Sequence, residues 1–276
     1  MKKGQVEVSR YKITGDDKVT ETDAIAVEEP LQLDISQGEF YTTFSITMRT
    51  PGDDEYLAYG LLFSEGVIAD AEEVQSVELS KIESEIEANK IIVHITDSVV
   101  LNLDGKERRL ASYSGCGICG KTSIKALALK NNRKLKPCTS EITTAVIQKI
   151  RTILAKQRLF SDTGGSHVAG IIYETNQNGK ASLNFEDAQF FEDVGRHNAL
   201  DKLIGYELIQ HQLKLPGVIV LSGRIGFELV QKVVMAGYST IIALGAPTNL
   251  AIQTANQFGI TLIGFAKNHQ YNRYTF

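Results

Sequence analysis

The chain has 276 residues, 43% hydrophobic and 22% charged, and 29 Lys and Arg against 33 Asp and Glu give a formal net charge of −4. A chain of this length buries most of the surface its unfolded form exposes, so it needs no disulfides or metal to hold a core, and it fits one large or two medium domains. Mild acidity spread along the chain excludes binding by bulk neutralisation of nucleic-acid phosphates, and no apolar run approaches the ~18 residues of a membrane span. No apolar stretch follows Met1-Lys2-Lys3, so no secretory signal is expected. The three cysteines, Cys116, Cys119 and Cys138, do not make a disulfide framework and fit a reducing cytoplasm.

In the first third, Phe40, Thr42, Phe44, Ile46 and Met48 alternate, which predicts a half-buried strand over 39–50. Pro51-Gly52-Asp53-Asp54 stops it, and Asp53 or Asp54 can cap a helix carrying Leu57, Leu61 and Leu62 that ends near Gly66. Short strands are expected at 74–79, 91–96 and 98–103, with a polar loop over 80–90. His94 falls in an alternating strand and reads as structural.

At about residue 111 the composition shifts. Ser112-Tyr113-Ser114-Gly115-Cys116-Gly117-Ile118-Cys119-Gly120 is glycine-dense and uncharged, a loop expected to lead into a short helix at 122–130. This divides the chain into an α+β region over 1–110 and an α/β domain over 111–276. Helical spacing follows at 141–158, and Asn178-Gly179 is a hairpin signal between strands at 168–173 and 181–186. Helix 196–212 is amphipathic, with His211 at its solvated end. Beyond it, strand 217–222, helix 226–236, strand 239–245, helix 248–258 and strand 260–265 alternate as βαβαβ. Their strands are continuous apolar runs, as expected where helices cover both faces of a parallel sheet.

In such sheets ligands bind beyond the carboxyl ends of the strands. Those ends read Ser222-Gly223-Arg224, Ala246-Pro247-Thr248 and Phe265-Ala266-Lys267, and the first two lead into helix N-termini that favour anions. Arg224 and Lys267 add full charges, so a phosphate-bearing ligand is expected there, against the plainer account of ordinary strand-to-helix turns. Neither the dinucleotide fingerprint nor the P-loop is present.

Cys116-Gly117-Ile118-Cys119 admits three readings. Half a zinc site would need ligands such as Cys138, His167 or His197, and no second Cys-x-x-Cys completes it. A zinc deaminase would need His-x-Glu, and none of the five histidines is followed two residues later by Glu. A thioredoxin-type pair fits the polar, glycine-rich approach poorly. The third reading is a persulfide carrier. Gly115, Gly117 and Gly120 leave the thiols accessible, Lys121 and the following helix would favour thiolate, and the second thiol can resolve the sulfur. Cys138 reads as inert. Glu192-Asp193-Val194-Gly195-Arg196-His197-Asn198 is either a helix N-terminus or a site edge presenting Arg196 and His197, and His167 beside Gly164-Gly165 leans toward a site.

Together Arg49-Thr50-Pro51-Gly52-Asp53-Asp54, the Cys-Gly-Ile-Cys-Gly loop, Thr163-Gly164-Gly165-Ser166-His167, residues 192–202, Ser222-Gly223-Arg224, Ala246-Pro247-Thr248 and Tyr274-Thr275 resemble the FdhD family of sulfur carriers required by formate dehydrogenases. The resemblance runs from about residue 40 to the C-terminus. It implies a deaminase-like three-layer α/β domain without zinc chemistry, and a homodimer. It also implies a sulfurtransferase that takes persulfide sulfur from a cysteine desulfurase and passes it to the molybdenum of a bis(molybdopterin guanine dinucleotide) cofactor of formate dehydrogenase. Carried over, Cys116 holds the persulfide and Cys119 assists. The cofactor contacts Phe265, Ala266, Lys267, Asn268, His269 and Gln270, alongside Arg224 and Thr248 from the strand-end argument. Many relatives have Gly-Arg where this chain has His269-Gln270, a loss that Lys267 or Arg273 would offset. No tightly held metal, nucleic acid or membrane contact is expected. The alternatives are a non-catalytic cofactor chaperone, which would survive loss of the cysteines, and a zinc-dependent hydrolase, which would carry stoichiometric zinc.

Overall fold

The computed structural model describes residues 4–80, 89–101, 134–177, 179–211, 213 and 215–275. Strands β1 (Gln5–Thr14) and β2 (Asp17–Ala26) form an antiparallel ribbon apart from the other sheets. Its exposed charges pair across the strands, with Arg10 bonded to Glu21 and Asp23. Strands β3 (Glu29–Gln37), β4 (Phe40–Arg49), β5 (Val74–Ser80) and β6 (Asn89–Ile95) build a four-stranded sheet in the order β4-β3-β6-β5, with β3 and β6 parallel. Helix α1 (Asp54–Ser64) follows β4. The strand expected over 98–103 does not form across 98–101. A turn takes its place, and the Gln37 side chain donates to the Thr96 and Val99 carbonyls that a ladder would otherwise occupy.

The alternation over 39–50 does make a strand, but its buried face is reversed. Ser45, Thr47 and Arg49 are buried, while Ile46 and Met48 stand 48% and 47% exposed. The register slips by one between Leu33–Ser45 and Asp34–Thr43. A one-residue slip turns every later side chain to the other face, and here it buries polar groups that have specific partners.

In the second half, α2 (Thr144–Leu154) lies within the helix expected over 141–158, and a separate short helix, α3 (Arg158–Thr163), follows it. Strands β7 (His167–Gln177) and β8 (Lys180–Asp193) form a long hairpin, and α4 (Arg196–Ile209) follows. Then come β9 (Gly217–Leu221), α5 (Phe227–Ala236), β10 (Thr240–Ala243), α6 (Asn249–Phe258), β11 (Thr261–Lys267) and β12 (Gln270–Arg273). The six-stranded sheet runs β12-β11-β10-β9-β7-β8, with β9, β10 and β11 parallel as expected from the βαβαβ pattern. Alternate residues of β9 enter opposite cores, Ile219 and Leu221 with α4, α5 and α6, and Val218 and Val220 with Ile147, Ile150 and Leu154 of α2. That explains the unbroken apolar run, because both faces are covered. The mixed α/β, layered architecture expected from the sequence is therefore present. The expected change of region at 110/111 lies outside the described residues, while Leu33 and Ile91 of the small sheet share one apolar cluster with Leu203 and Val233. No helix among the described residues is long and apolar enough to cross a membrane.

The seam between the halves is the crossing of α1 and α4, where two glycines let the backbones touch. A Cβ on Gly60 would lie 1.8 Å from the Asp201 carbonyl oxygen, and one on Gly205 1.9 Å from that of Tyr56. Neither obstacle is a side chain that can turn away. Gly205→Ala is therefore expected to lower the urea unfolding free energy by about 3 kcal/mol or more, the upper part of the overpacking range. An unchanged denaturation midpoint would contradict this close crossing.

Candidate functional site

The chain carries its candidate site on the crest formed by the carboxyl ends of β9, β10 and β11. Successive loops there are linked by backbone bonds, Ile225 N–H to the Ala246 carbonyl at 3.0 Å, Thr248 N–H to Ile225 at 2.9 Å and Phe265 N–H to Gly245 at 3.0 Å. The loops nest this closely because Gly245 has no side chain; a Cβ there would lie 2.6 Å from the Gly223 oxygen. Arg224, Thr248 and Phe265 are thus brought into one row, all exposed. The Thr248 hydroxyl caps α6 by accepting from Ala251 N–H at 3.3 Å. Phe265 holds the left-handed region at φ 50°, rare for a bulky residue, at the irregularity between the Gly264 and Lys267 pairings of β11 with β12.

The rest of the predicted cofactor segment is the β11–β12 turn. Lys267, Asn268, His269 and Gln270 are exposed, whereas Ala266 is fully buried and can offer only its backbone. Helix α2 holds this turn. Arg151 donates to Asn268 Oδ1 at 2.7 Å and to the Ala266 carbonyl at 2.9 Å, and Gln148 Nε2 lies 3.2 Å from His269 Nδ1. Arg273 is instead turned to the Thr275 carbonyl at 2.8 Å. The guanidinium at this turn thus comes from Arg151, which the sequence reading missed because it lies about 115 residues upstream in an ordinary amphipathic helix. Cys116 and Cys119 lie outside the described residues.

Cys138 is described, and its thiol donates to Glu174 at 3.3 Å. The same carboxylate accepts from the backbone N–H of Thr139 at 2.8 Å and of Ser140 at 2.5 Å. Burial, followed by the Glu174 hydrogen bond and charge, pushes the Cys138 thiol up to about 12. The thiol is thus held protonated at neutral pH, in line with its reading as inert.

Much of the 192–202 motif forms a clasp. Asp193 and Lys202 are both buried and meet at 2.8 Å. Asp193 also accepts from Thr50 N–H at 3.1 Å and Gly195 N–H at 2.8 Å, and Lys202 donates to the Thr50 carbonyl at 2.9 Å. Asn198 reaches across to the Met48 carbonyl at 2.7 Å and to Thr47 at 3.3 Å. These are the partners that bury the polar face of β4. Arg49 is engaged by Asp54 at 2.9 and 3.0 Å, so Asp54 serves the arginine, and neither it nor Asp53 caps α1 through a side chain. Asp201 takes Lys232 at 2.8 Å and Ser64 at 2.9 Å.

Arg196, His197 and His167 lie close enough to one another to interact electrostatically. His167 begins β7, which runs antiparallel beside β9, and a Cβ on Gly223 would lie 3.1 Å from its Nδ1. Burial, then the charges of Lys232, Arg196 and His167, push His197 down to about 3. The ring is neutral at physiological pH, so its 3.2 Å contact from Nε2 to Glu228 is a hydrogen bond rather than an ion pair.

Comparison with known proteins decides the family. The FdhD/NarQ family profile matches residues 26–276. The chain belongs to the FdhD/NarQ family. The sulfur carrier protein FdhD of Corynebacterium efficiens is 38% identical over 263 residues, covering 92% of this chain and 90% of its own. That of Sulfurisphaera tokodaii is 35% identical over 272 residues, covering 97% and 96%. A solved structure from Desulfotalea psychrophila, provisionally assigned as a formate dehydrogenase accessory protein, aligns with 99% of this chain and 97% of its own at a TM-score of 0.67 and 21% identity. That likeness bears on the fold. The family match begins where β2 ends, so nearly all of the β1–β2 ribbon lies outside it.

Two outcomes follow. Asp193→Asn leaves the Lys202 ammonium buried without its counter-charge and should cost about 3–5 kcal/mol in denaturant unfolding; a loss under 1 kcal/mol would show the clasp to be dispensable. For His197, the folded value lies below the unfolded one, near 6.5. Its contribution is therefore complete above pH 6.5 and is lost as the pH falls toward 3, where the unfolded chain takes up a proton the folded chain refuses. Between pH 6 and 5 wild type should lose about 1 kcal/mol more stability than His197→Gln, measured by urea titration at each pH.

Proposed function

We propose that the protein is a sulfurtransferase that carries sulfur as a persulfide on Cys116 and delivers it to the molybdenum cofactor of formate dehydrogenase. The observation that carries this reading is membership, over nearly the whole chain, in a family whose curated relatives are named sulfur carriers, combined with Cys116 and Cys119 in a glycine-rich setting. Cys116 thiolate attacks the terminal sulfur of a cysteine desulfurase persulfide, and the desulfurase cysteine leaves as thiolate. Attack by Cys119 on the inner sulfur of Cys116 then releases hydrosulfide. The two thiols supply the electrons and close as a disulfide, which a cellular dithiol must reopen. Substrate is the bis(molybdopterin guanine dinucleotide) cofactor, held at the crest by Arg224, Lys267 and the turn over 268–270, with Phe265 offering an aromatic face. The row of exposed cationic and aromatic side chains on linked strand-end loops supports a phosphate-bearing ligand there. The setting is the cytoplasm and the assembly a homodimer, as the resemblance implies.

Incubation with a cysteine desulfurase and cysteine should add about 32 Da per sulfur to wild type and to Cys138→Ser but not to Cys116→Ala. Wild type, but not Cys116→Ala, should then activate sulfur-free formate dehydrogenase. Retention of the adduct in Cys116→Ala with loss in Cys119→Ala would exchange the two roles, and full activation by both alanine variants would leave a non-catalytic chaperone.

A further inference from the structure

Among the described residues, metal-type donors gather at one place on the surface. Asp70, Glu72 and His211 each offer one donor atom there, and all three atoms lie within 4.8 Å of one another. The residues come from two distant parts of the sequence. Asp70 and Glu72 belong to the one-turn 3-10 helix Ala71–Glu73 and its N-cap, on the way from α1 to β5, and His211 follows the C-cap of α4. The group therefore joins the two chain segments that leave the crossing of α1 and α4. Its backbone supports are firm: Ile68 and Val74 flank the acidic turn, Leu208 and Leu213 flank the histidine, and all four are buried in one core cluster. Ligands carried on packed elements are held near their working positions before any ion arrives. Asp70 is oriented further, since its Oδ1 accepts from Ala71 N–H at 2.8 Å. Glu73 turns back to accept from Ala69 N–H at 2.6 Å, and it is Glu72 that reaches His211, with Oε1 3.6 Å from Nδ1. Ligand atoms 2.0–2.2 Å from a tetrahedral ion lie roughly 3.4 Å apart, so imidazole and carboxylate already stand near coordination spacing. Two carboxylates drawn together repel each other, and a divalent cation between them converts that cost into attraction.

We propose that Asp70, Glu72 and His211 bind a zinc ion that ties the turn after α1 to the end of α4. An imidazole beside two carboxylates suits Zn2+, whereas Ca2+ and Mg2+ favour all-oxygen sets. Glu72 and His211 are exposed, so water completes the coordination and the ion exchanges with solvent. The donor set contains no cysteine. The site is therefore separate from the sulfur-carrying thiols and from a zinc hydrolase built on them, and its part is to brace the seam.

The test is calorimetric titration of Zn2+ into the full-length Cys116→Ser/Cys119→Ser protein, in which the paired thiols cannot take the metal. The same protein carrying His211→Gln, Glu72→Gln or Asp70→Asn is compared with it; asparagine keeps the cap on Ala71 while removing the charge. The parent should bind a zinc equivalent that each of the three substitutions weakens about tenfold or more, and that excess Mg2+ or Ca2+ does not displace. Zinc should raise the melting temperature of the parent by several degrees and leave that of His211→Gln unmoved, with the two proteins melting alike when metal is absent. Equal zinc affinity in the parent and all three variants, or no zinc binding by the parent, would overturn the site. Binding that survives His211→Gln and yields to Ca2+ would overturn the zinc assignment, leaving only an unselective pair of carboxylates.

Discussion

The buried contact between Asp193 and Lys202 is the constraint on which the arrangement of this protein depends. Two charges withdrawn from water are tolerable only when each is fully coordinated, and here the coordination is shared between chain segments some 143 residues apart, through the Thr50 amide and carbonyl. The same stretch begins α4, sets Gly205 against α1, and brings His197 to Glu228. Within one motif, Asp193, Asn198 and Lys202 tie the two segments together, while Glu192 and His197 turn to other partners, α3 and Glu228.

That division explains why the motif could be recognised but not resolved in the sequence. Glu192, Asp193, Arg196, His197 and Asn198 look alike as polar residues before an apolar helix, and only the three-dimensional partners separate them. Glu192, for instance, accepts from Leu159 and Phe160 N–H at the start of α3. By contrast, the βαβαβ succession was legible almost to the residue. Continuous apolar strands, amphipathic helices and the left-handed glycines Gly237 and Gly259 that end α5 and α6 are local signals, and they agree with one another.

The reversed face of β4 marks where local reading fails. Alternation correctly places a strand at Phe40–Arg49, but period alone cannot say which set faces inward once a register slip intervenes. Burying Arg49 and Thr47 while exposing Ile46 and Met48 contradicts the hydrophobic rule because Asp54, just past the strand, and Asn198, far along the chain, satisfy the polar set. At the crest, the strand-end prediction located Arg224, Thr248 and Phe265 correctly in one row, yet gave no hint of Arg151, whose relevance arises only from the packing of α2 beside the last hairpin.

The bond from Cys138 to Glu174 has an analytical consequence. Because that thiol stays protonated far above neutral pH, it is nearly silent toward alkylating and disulfide-exchange reagents in the range where most proteins are handled. Any thiol count taken on the native protein near pH 7 thus has only Cys116 and Cys119 left to report, and unfolding the chain should unmask the third. Burial, reinforced by one carboxylate on β7, in effect builds a chemical filter into the protein, sparing the two candidate carrier thiols from competition for label by the third.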